Sequence, residues 1–324
     1  MQMTTLGRSG LRVSRVALGT WQLGGDWGDF DEDDAVATIR RALELGVNLF
    51  DTAQAYGFGA SERLVGRALE DVLRERRGDV VIATKGGLRP DGGRLLRDAS
   101  PEWLRRGVEE SLEALGVDFV DLYQVHWPDP GTPAADTARA LQDMVDEGLI
   151  RHVGVSNYDA DQMRAFAETR PVETLQPPYH LFRREIEQDV LPYTREEGIG
   201  VLVYGSLAHG LLVGAMNAST TFPAGDWRGA GRDFRGETFR RNLAVVERLK
   251  QVAEAHGVSL ARLAIAWTLA HPAVHVTIVG ARRIDHLEES LSAVNVVLTD
   301  DELARIDEIM VDAVPVHGAT PEGV

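Results

Sequence analysis

Eight short apolar runs, each followed by a longer segment with helical spacing, limit what this chain folds into more than any other feature. The runs cover residues 16–19, 48–51, 80–84, 119–125, 152–156, 173–176, 200–204 and 275–279. Between them lie amphipathic stretches with recognisable ends. Residues 33–45 put Val36, Ile39 and Leu43 on one face and stop at Gly46, and Ser61 is expected to cap a helix carrying Leu64, Val65, Ala68 and Leu69. Ser100-Pro101 is an N-cap and first-turn pair, after which Leu104, Val108, Leu112 and Leu115 recur at helical spacing as far as Gly116. Further helices are expected at 133–147, 159–168, 186–197, 259–270 and 283–291. Eight strand-helix units predict an α/β fold, a (β/α)8 TIM barrel, with a doubly wound sheet as the competitor. The doubly wound dinucleotide folds carry a Gly-rich first turn, and no G-x-G-x-x-G follows a strand here.

Three pieces fall outside that repeat. Residues 3–6 and 11–13 flank Arg8-Ser9-Gly10 and read as an N-terminal hairpin that plugs or caps something. Residues 209–251 form an insertion after the seventh strand, with a Gly-, Arg- and aromatic-rich loop at 220–236 and a helix around 243–256. The segment after Val297 starts with the capping box Thr299-Asp300-Asp301-Glu302, sets Leu303, Ile306, Ile309 and Met310 on one face, and ends loosely from Pro315. With no internal repeat and no linker, residues 1–324 read as one barrel domain.

Thirty-four Lys and Arg against 50 Asp and Glu give a formal charge of −16, which opposes a nucleic-acid or anionic-membrane partner but leaves room for an anionic ligand held by local cations. There is no cysteine, so disulfides, thiolate metal ligands and a cysteine nucleophile are excluded, and no metal site is expected. No run reaches membrane-spanning length, and the N-terminus lacks a signal-peptide core, so a soluble cytoplasmic protein is expected.

Reactive residues cluster at the strand ends. The stretch N-L-F-D-T-A-Q-A-Y-G ends a strand in Asp51 and places Tyr56 on the following loop; V-V-I-A-T-K ends in Lys85; His126 follows the fourth strand, before Trp127-Pro128. Each has an ordinary structural reading, as a loop charge, a packing aromatic, a snorkelling lysine or a satisfied histidine. Together they come from strands two, three and four at one end of a barrel, where TIM-barrel chemistry is assembled. A phenol, ordinarily with a pKa of about 10, donates its proton well only beside a cation that stabilises the phenolate. Lys85 is placed to be that cation and Asp51 to keep it charged.

These residues resemble the catalytic tetrad of the aldo-keto reductase family. The stretches G-V-N-L-F-D-T-A-Q-A-Y-G, A-T-K and Q-V-H-W-P match its motifs, nearly the whole chain follows in order, and the long segment after strand seven is similar to the bacterial and potassium-channel-β-subunit-like branches. The resemblance implies reversible NADPH-dependent reduction of aldehydes or ketones, with Tyr56, Lys85, Asp51 and His126 catalytic. The substrate would be a small carbonyl compound in a pocket lined by Trp21, Tyr56, His126 and Trp127, with Trp227 or Phe182 as further candidates. It implies nicotinamide and pyrophosphate contacts from Gly19, Thr20, Trp21, Ser156, Asn157, Gln176, Tyr204, Gly205, Ser206, Leu207, Gly210 and Leu212. After strand eight, V-G-A-R-R-I-D-H-L-E-E-S is a helix start with two arginines, a natural anion site. There the resemblance places the 2′-phosphate and adenine beside Gly280, Ala281, Arg282, His286, Glu289 and Ser290. His286 and Ser290 depart from the residues most members carry, and Ala215 replaces a frequent lysine near the pyrophosphate, so NADPH is expected over NADH on Arg282 above all. Two rivals are a redox-sensing regulatory subunit that binds NADPH with little turnover, and a Schiff-base aldolase using Lys85. Oligomeric state is left open.

Overall fold

A computed structural model describes residues 1–25, 30–223 and 226–322. Eight parallel strands close into a barrel in chain order: Val16–Gly19, Leu49–Asp51, Val81–Gly86, Val120–Val125, Ile150–Ser156, Thr174–Gln176, Gly200–Val203 and Val276–Gly280. The last strand pairs with the first, Thr277 beside Val16 and Gly280 beside Gly19, so the expected barrel forms and the doubly wound alternative does not. The strand ends differ from the expected ones by at most two residues.

Alternation along these strands builds two apolar layers. Ala17, Leu49, Ala83, Leu122, Leu202 and Val276 fill the barrel interior, while Val16, Phe50, Ile82, Tyr123 and Val155 pack outward against the helices. The N-terminal hairpin, Met3–Thr5 with Arg12–Ser14, is the floor: its Leu6 and Val13 join the interior layer, and Arg8 N donates to Gly198 O at 2.7 Å, just before strand seven begins. With the bottom plugged, the barrel opens at the end where the strands finish.

The helices follow the expected order, with informative differences. Ser100 caps Pro101–Leu115, and Thr299 and Glu302 form the capping box of Asp300–Met310. Ser61 does not cap: the second helix is Ala60–Glu75 with Gly59 at its N-cap, and the Ser61 hydroxyl instead donates to Thr20 Oγ1 at 2.7 Å. The single helix expected at 186–197 is a short 3-10 turn, Glu185–Glu187, followed by Val190–Glu196. Asp189 caps this helix and Pro192, which has no N–H to lose, sits in its first turn. In the insertion, the helix runs Gly236–His256, well before the expected 243, and Trp227–Ala230 forms another turn; residues 224 and 225 of the expected loop lie outside the described residues. A second hairpin, Leu88–Asp91 with Arg94–Arg97, was not foreseen although Asp91-Gly92-Gly93 is its turn signal.

The end of the chain is the largest departure. Residues 315–322 are not loose but cross the open end of the barrel. Val316 N donates to Phe182 O at 3.0 Å and His317 N to Asp233 Oδ2 at 2.8 Å; further on, Leu95 N donates to Pro321 O and Arg97 forks onto Glu322. Among the described residues no helix is long and apolar enough to cross a membrane.

Candidate active site

The second strand ends at Asp51, and the loop after it is fastened to the third: Thr52 N donates to Ala83 O and Gln54 N to Lys85 O. A turn closed by Tyr56 N on Ala53 O then swings the phenol back over the barrel. Two glycines make room for that turn. Gly57 has φ +66°, and a Cβ there would sit 2.5 Å from Gly24 O, while a Cβ on Gly24 would meet the Tyr56 backbone at 2.8 Å.

The result is a charged cluster inside the barrel mouth. Lys85, 1 % exposed, donates to Asp51 Oδ1 at 2.6 Å, to Thr52 O at 2.9 Å and to Tyr56 OH at 3.3 Å. Gln176 Nε2 holds the other Asp51 oxygen at 2.7 Å. Burial by itself pushes the lysine pKa down, but the Asp51 carboxylate and the Tyr56 oxygen outweigh it and the net shift is upward. Lys85 therefore stays an ammonium, aimed at the phenol oxygen. The His126 ring stands edge-on to Tyr56, centroids 5.7 Å apart, and Trp21 flanks the phenol on another side at 6.4 Å. Burial, with the Lys85 charge adding, holds His126 well below the usual histidine value, so it is neutral at pH 7.

This cluster faces a cavity of about 500 Å³. Asp51, Tyr56, His126, Trp21 and Trp127 line it, with Lys85 directly behind Tyr56. The same cavity extends along Gly19, Thr20, Ser156, Asn157, Gln176, Tyr204, Gly205, Ser206, Leu207 and Gly210 to Gly280, Ala281, Arg282, His286, Glu289 and Ser290. Strand ends one, five, six, seven and eight thus converge with the four reactive side chains.

Three expected residues do not reach it. Leu212 is fully buried in the core under the insertion, because within the 3-10 stretch Ala208–Val213 it is Val213 that turns to the cavity. Phe182 is 3 % exposed in the same core. Trp227 stands behind the wall, its ring 4.8 Å from that of His209. The amides expected to meet a carboxamide are largely committed to each other. Asn157 donates to His126 O at 2.9 Å and accepts from Tyr204 OH at 2.8 Å, and Ser156 Oγ donates to Gln176 O. What they leave for a ligand is lone-pair capacity on the Asn157 and Gln176 side-chain oxygens. Thr20 is similarly tied, its hydroxyl donating to Asp51 O at 3.1 Å.

Other lining residues were not foreseen: Gln22, Leu88, Leu95, Arg183, His209, Arg228 and the crossing residues 318–321. The hairpin pair was legible in its turn, whereas Arg183 and residues 318–321 carry no periodicity that points at the cavity. Among the described residues, no group of three His, Asp or Glu side chains is arranged to hold a metal ion.

The sequence matches the model of the aldo/keto reductase family over residues 15–311. The chain belongs to the aldo/keto reductase family. It is 40% identical over 312 residues to "Aldo-keto reductase YhdN" of Bacillus subtilis, covering 96% of this chain and 94% of that one. It is 33% identical over 325 residues to the "NADH-specific methylglyoxal reductase" of Escherichia coli, covering 95% and 98%. The solved glycerol dehydrogenase AKR11B4 from Gluconobacter oxydans superposes with a TM-score of 0.87 at 40% identity, covering 100% of this chain and 98% of that chain. An aldo/keto reductase with this barrel is a nicotinamide-dependent oxidoreductase acting on small carbonyl compounds.

Proposed function

We propose that this aldo/keto reductase reduces aldehydes and ketones to alcohols, reversibly, with Tyr56 as the proton donor and NADPH in preference to NADH. The observation that carries the reading is the Lys85 ammonium, 2.6 Å from Asp51 and 3.3 Å from the Tyr56 hydroxyl, directly behind the Tyr56 that lines the cavity. When bound, the dinucleotide supplies the hydride, which no side chain can provide. The protein's own part is proton delivery and positioning. As negative charge develops on the substrate oxygen, Tyr56 passes it a proton and Lys85 stabilises the phenolate left behind, while Asp51 keeps Lys85 charged and in line. Neutral His126 offers a hydrogen bond to the same oxygen without competing as an acid. A Schiff-base role for Lys85 needs a neutral amine, which the Asp51 pairing opposes.

The residues around the cavity suit a dinucleotide in chemistry as well as in extent. Tyr204 offers a ring face for the nicotinamide, Gly205–Gly210 a close-approaching backbone, and the start of the helix Ile284–Ser292, with Arg282 just before it, free N–H groups and a cation for a 2′-phosphate. A relative named for NADH shows that the family by itself does not set the coenzyme, so the preference rests on Arg282. Tyr56→Phe tests the proton donor: turnover falls about 10²- to 10⁴-fold while the NADPH dissociation constant stays within twofold. Full activity in that variant would overturn the role. Comparison of NADPH and NADH dissociation constants tests the coenzyme, and tighter NADH binding would refute the phosphate site.

A further inference from the structure

Arg183 and Arg184 are neighbours in sequence with opposite fates. Arg184 is satisfied twice, by Glu187 at 2.9 and 3.0 Å and by Asp307 at 2.6 Å. Arg183 lines the cavity, half-buried, and among the described residues nothing accepts from its guanidinium. The carboxylates nearest it in the chain are committed, Glu187 to Arg184 and Glu185 to His317. Backbone bonds between His180 and Arg183 close a tight turn that holds the side chain where it is.

The surroundings point to a ligand independently. His180 is 1 % exposed with both ring nitrogens unpartnered, and its ring stands edge-on to that of His209, 6.0 Å away on the cavity wall. His209 keeps a strained backbone, φ +55°, with its carbonyl held by Arg228. Gly318 packs so closely that a Cβ there would lie 2.8 Å from the His209 ring. A guanidinium on a cavity wall with no counter-charge beside it among the described residues is a natural partner for an oxyanion in that cavity. The crossing segment runs from Phe182 beside Arg183 through Gly318 to Pro321, whose carbonyl accepts from Leu95, and Leu95 and Trp127 line the cavity with Tyr56. Arg183 thus shares one cavity with Tyr56 and Trp127, and the crossing segment links the His209 side, where Gly318 packs, to Leu95.

We propose that Arg183 binds the anionic group, a carboxylate or a phosphate, of the carbonyl substrate, so that the enzyme prefers anionic aldehydes and ketones over neutral ones of equal size. This rests on the carbonyl-reductase reading. The test compares wild type with Arg183→Met and Arg183→Lys at saturating NADPH, using 4-carboxybenzaldehyde against benzaldehyde and succinic semialdehyde against butanal. The ratio of kcat/KM, anionic over neutral, is expected to fall about 10- to 100-fold in Arg183→Met and to be largely kept in Arg183→Lys. Because no group among the described residues pairs with Arg183, Arg183→Met should melt no lower than wild type. An unchanged ratio overturns the proposal, and an unchanged ratio with weaker NADPH binding assigns the arginine to the coenzyme's pyrophosphate. If wild type reduces none of the four aldehydes, the reductase reading is what fails. Calorimetry of benzoate binding to the NADP⁺-loaded protein then decides the anion site without turnover: about tenfold weaker binding in Arg183→Met supports it, equal binding sinks it.

Discussion

Asp51→Asn is the most informative single substitution in this barrel. Asp51 receives Lys85 on one oxygen at 2.6 Å and Gln176 on the other at 2.7 Å. Asparagine keeps the shape but has one acceptor, so either orientation turns its amide nitrogen toward a donor. It also leaves the Lys85 ammonium buried without its counter-charge. Removing one partner of a buried pair costs about 3–5 kcal/mol, far more than the pair contributes relative to a well-packed apolar substitute. Urea denaturation of wild type, Asp51→Asn, Lys85→Met and the double variant measures this directly. The single Asp51 change is expected to lose about 3–5 kcal/mol, and the added Lys85→Met to recover a large part of it, because the orphaned cation is then gone. The sign with pH follows from the upward shift of Lys85. Its stabilising contribution is complete below the ordinary lysine value of 10.5 and disappears only as pH climbs through the higher folded value. In Asp51→Asn the burial effect is no longer outweighed, the pKa drops, and stability should begin to depend on pH at lower values than in wild type. A double variant no more stable than Asp51→Asn would refute the charge argument.

His126 is held neutral by burial and Lys85, so the rate of reduction at saturating coenzyme should show no inflection near pH 6.5; a limb there that vanishes in His126→Gln would contradict the assignment. Glu302 is held down to about 2, first by the Thr299 backbone amide and then by His256, so its contribution is present above the ordinary 4.5 and lost as pH falls through about 2. Glu302→Gln should accordingly narrow the difference in melting temperature between pH 7 and pH 3, as differential scanning calorimetry can read. The Arg97–Glu322 pair is largely exposed on the glutamate side and is worth at most about 1 kcal/mol, so Glu322→Gln should leave the melting temperature nearly unchanged. Freed from the hairpin, the crossing segment should raise KM for carbonyl substrates several-fold with little change in kcat; equal kinetics would show that the pair does not shape the cavity.

The barrel was legible because its signal is local. Each strand is an apolar run and each helix carries its own cap and stripe, so eight repeats of one pattern point to the fold even when Ser61 is misread as a cap. That Asp51, Tyr56, Lys85 and His126 come together was legible because the ends of strands two to four and the loop after strand two carry four reactive residue types. Tertiary commitments were not. Nothing in S-N or Q-P-P indicates that Asn157 and Gln176 spend most of their hydrogen bonds on His126, Tyr204 and Asp51. Nor does a polar end rich in Pro and Gly reveal that residues 318–321 wall the cavity, since that placement depends on partners at Phe182, Asp233, Leu95 and Arg97 scattered along the chain.

The seam between the first and last barrel strands has a consequence for biogenesis. Val16 finds its partner only in Thr277, so during synthesis at about 5–20 residues per second roughly 13–50 s separate the two. Through that interval the nascent sheet has two open edges, and Asp51 and Lys85 sit in a half-built mouth that water can still enter. The ordering of strand eight is then the event that removes both edges together. Substitutions at Ile278 or Val279 should therefore act less on the finished enzyme than on the yield of soluble chain.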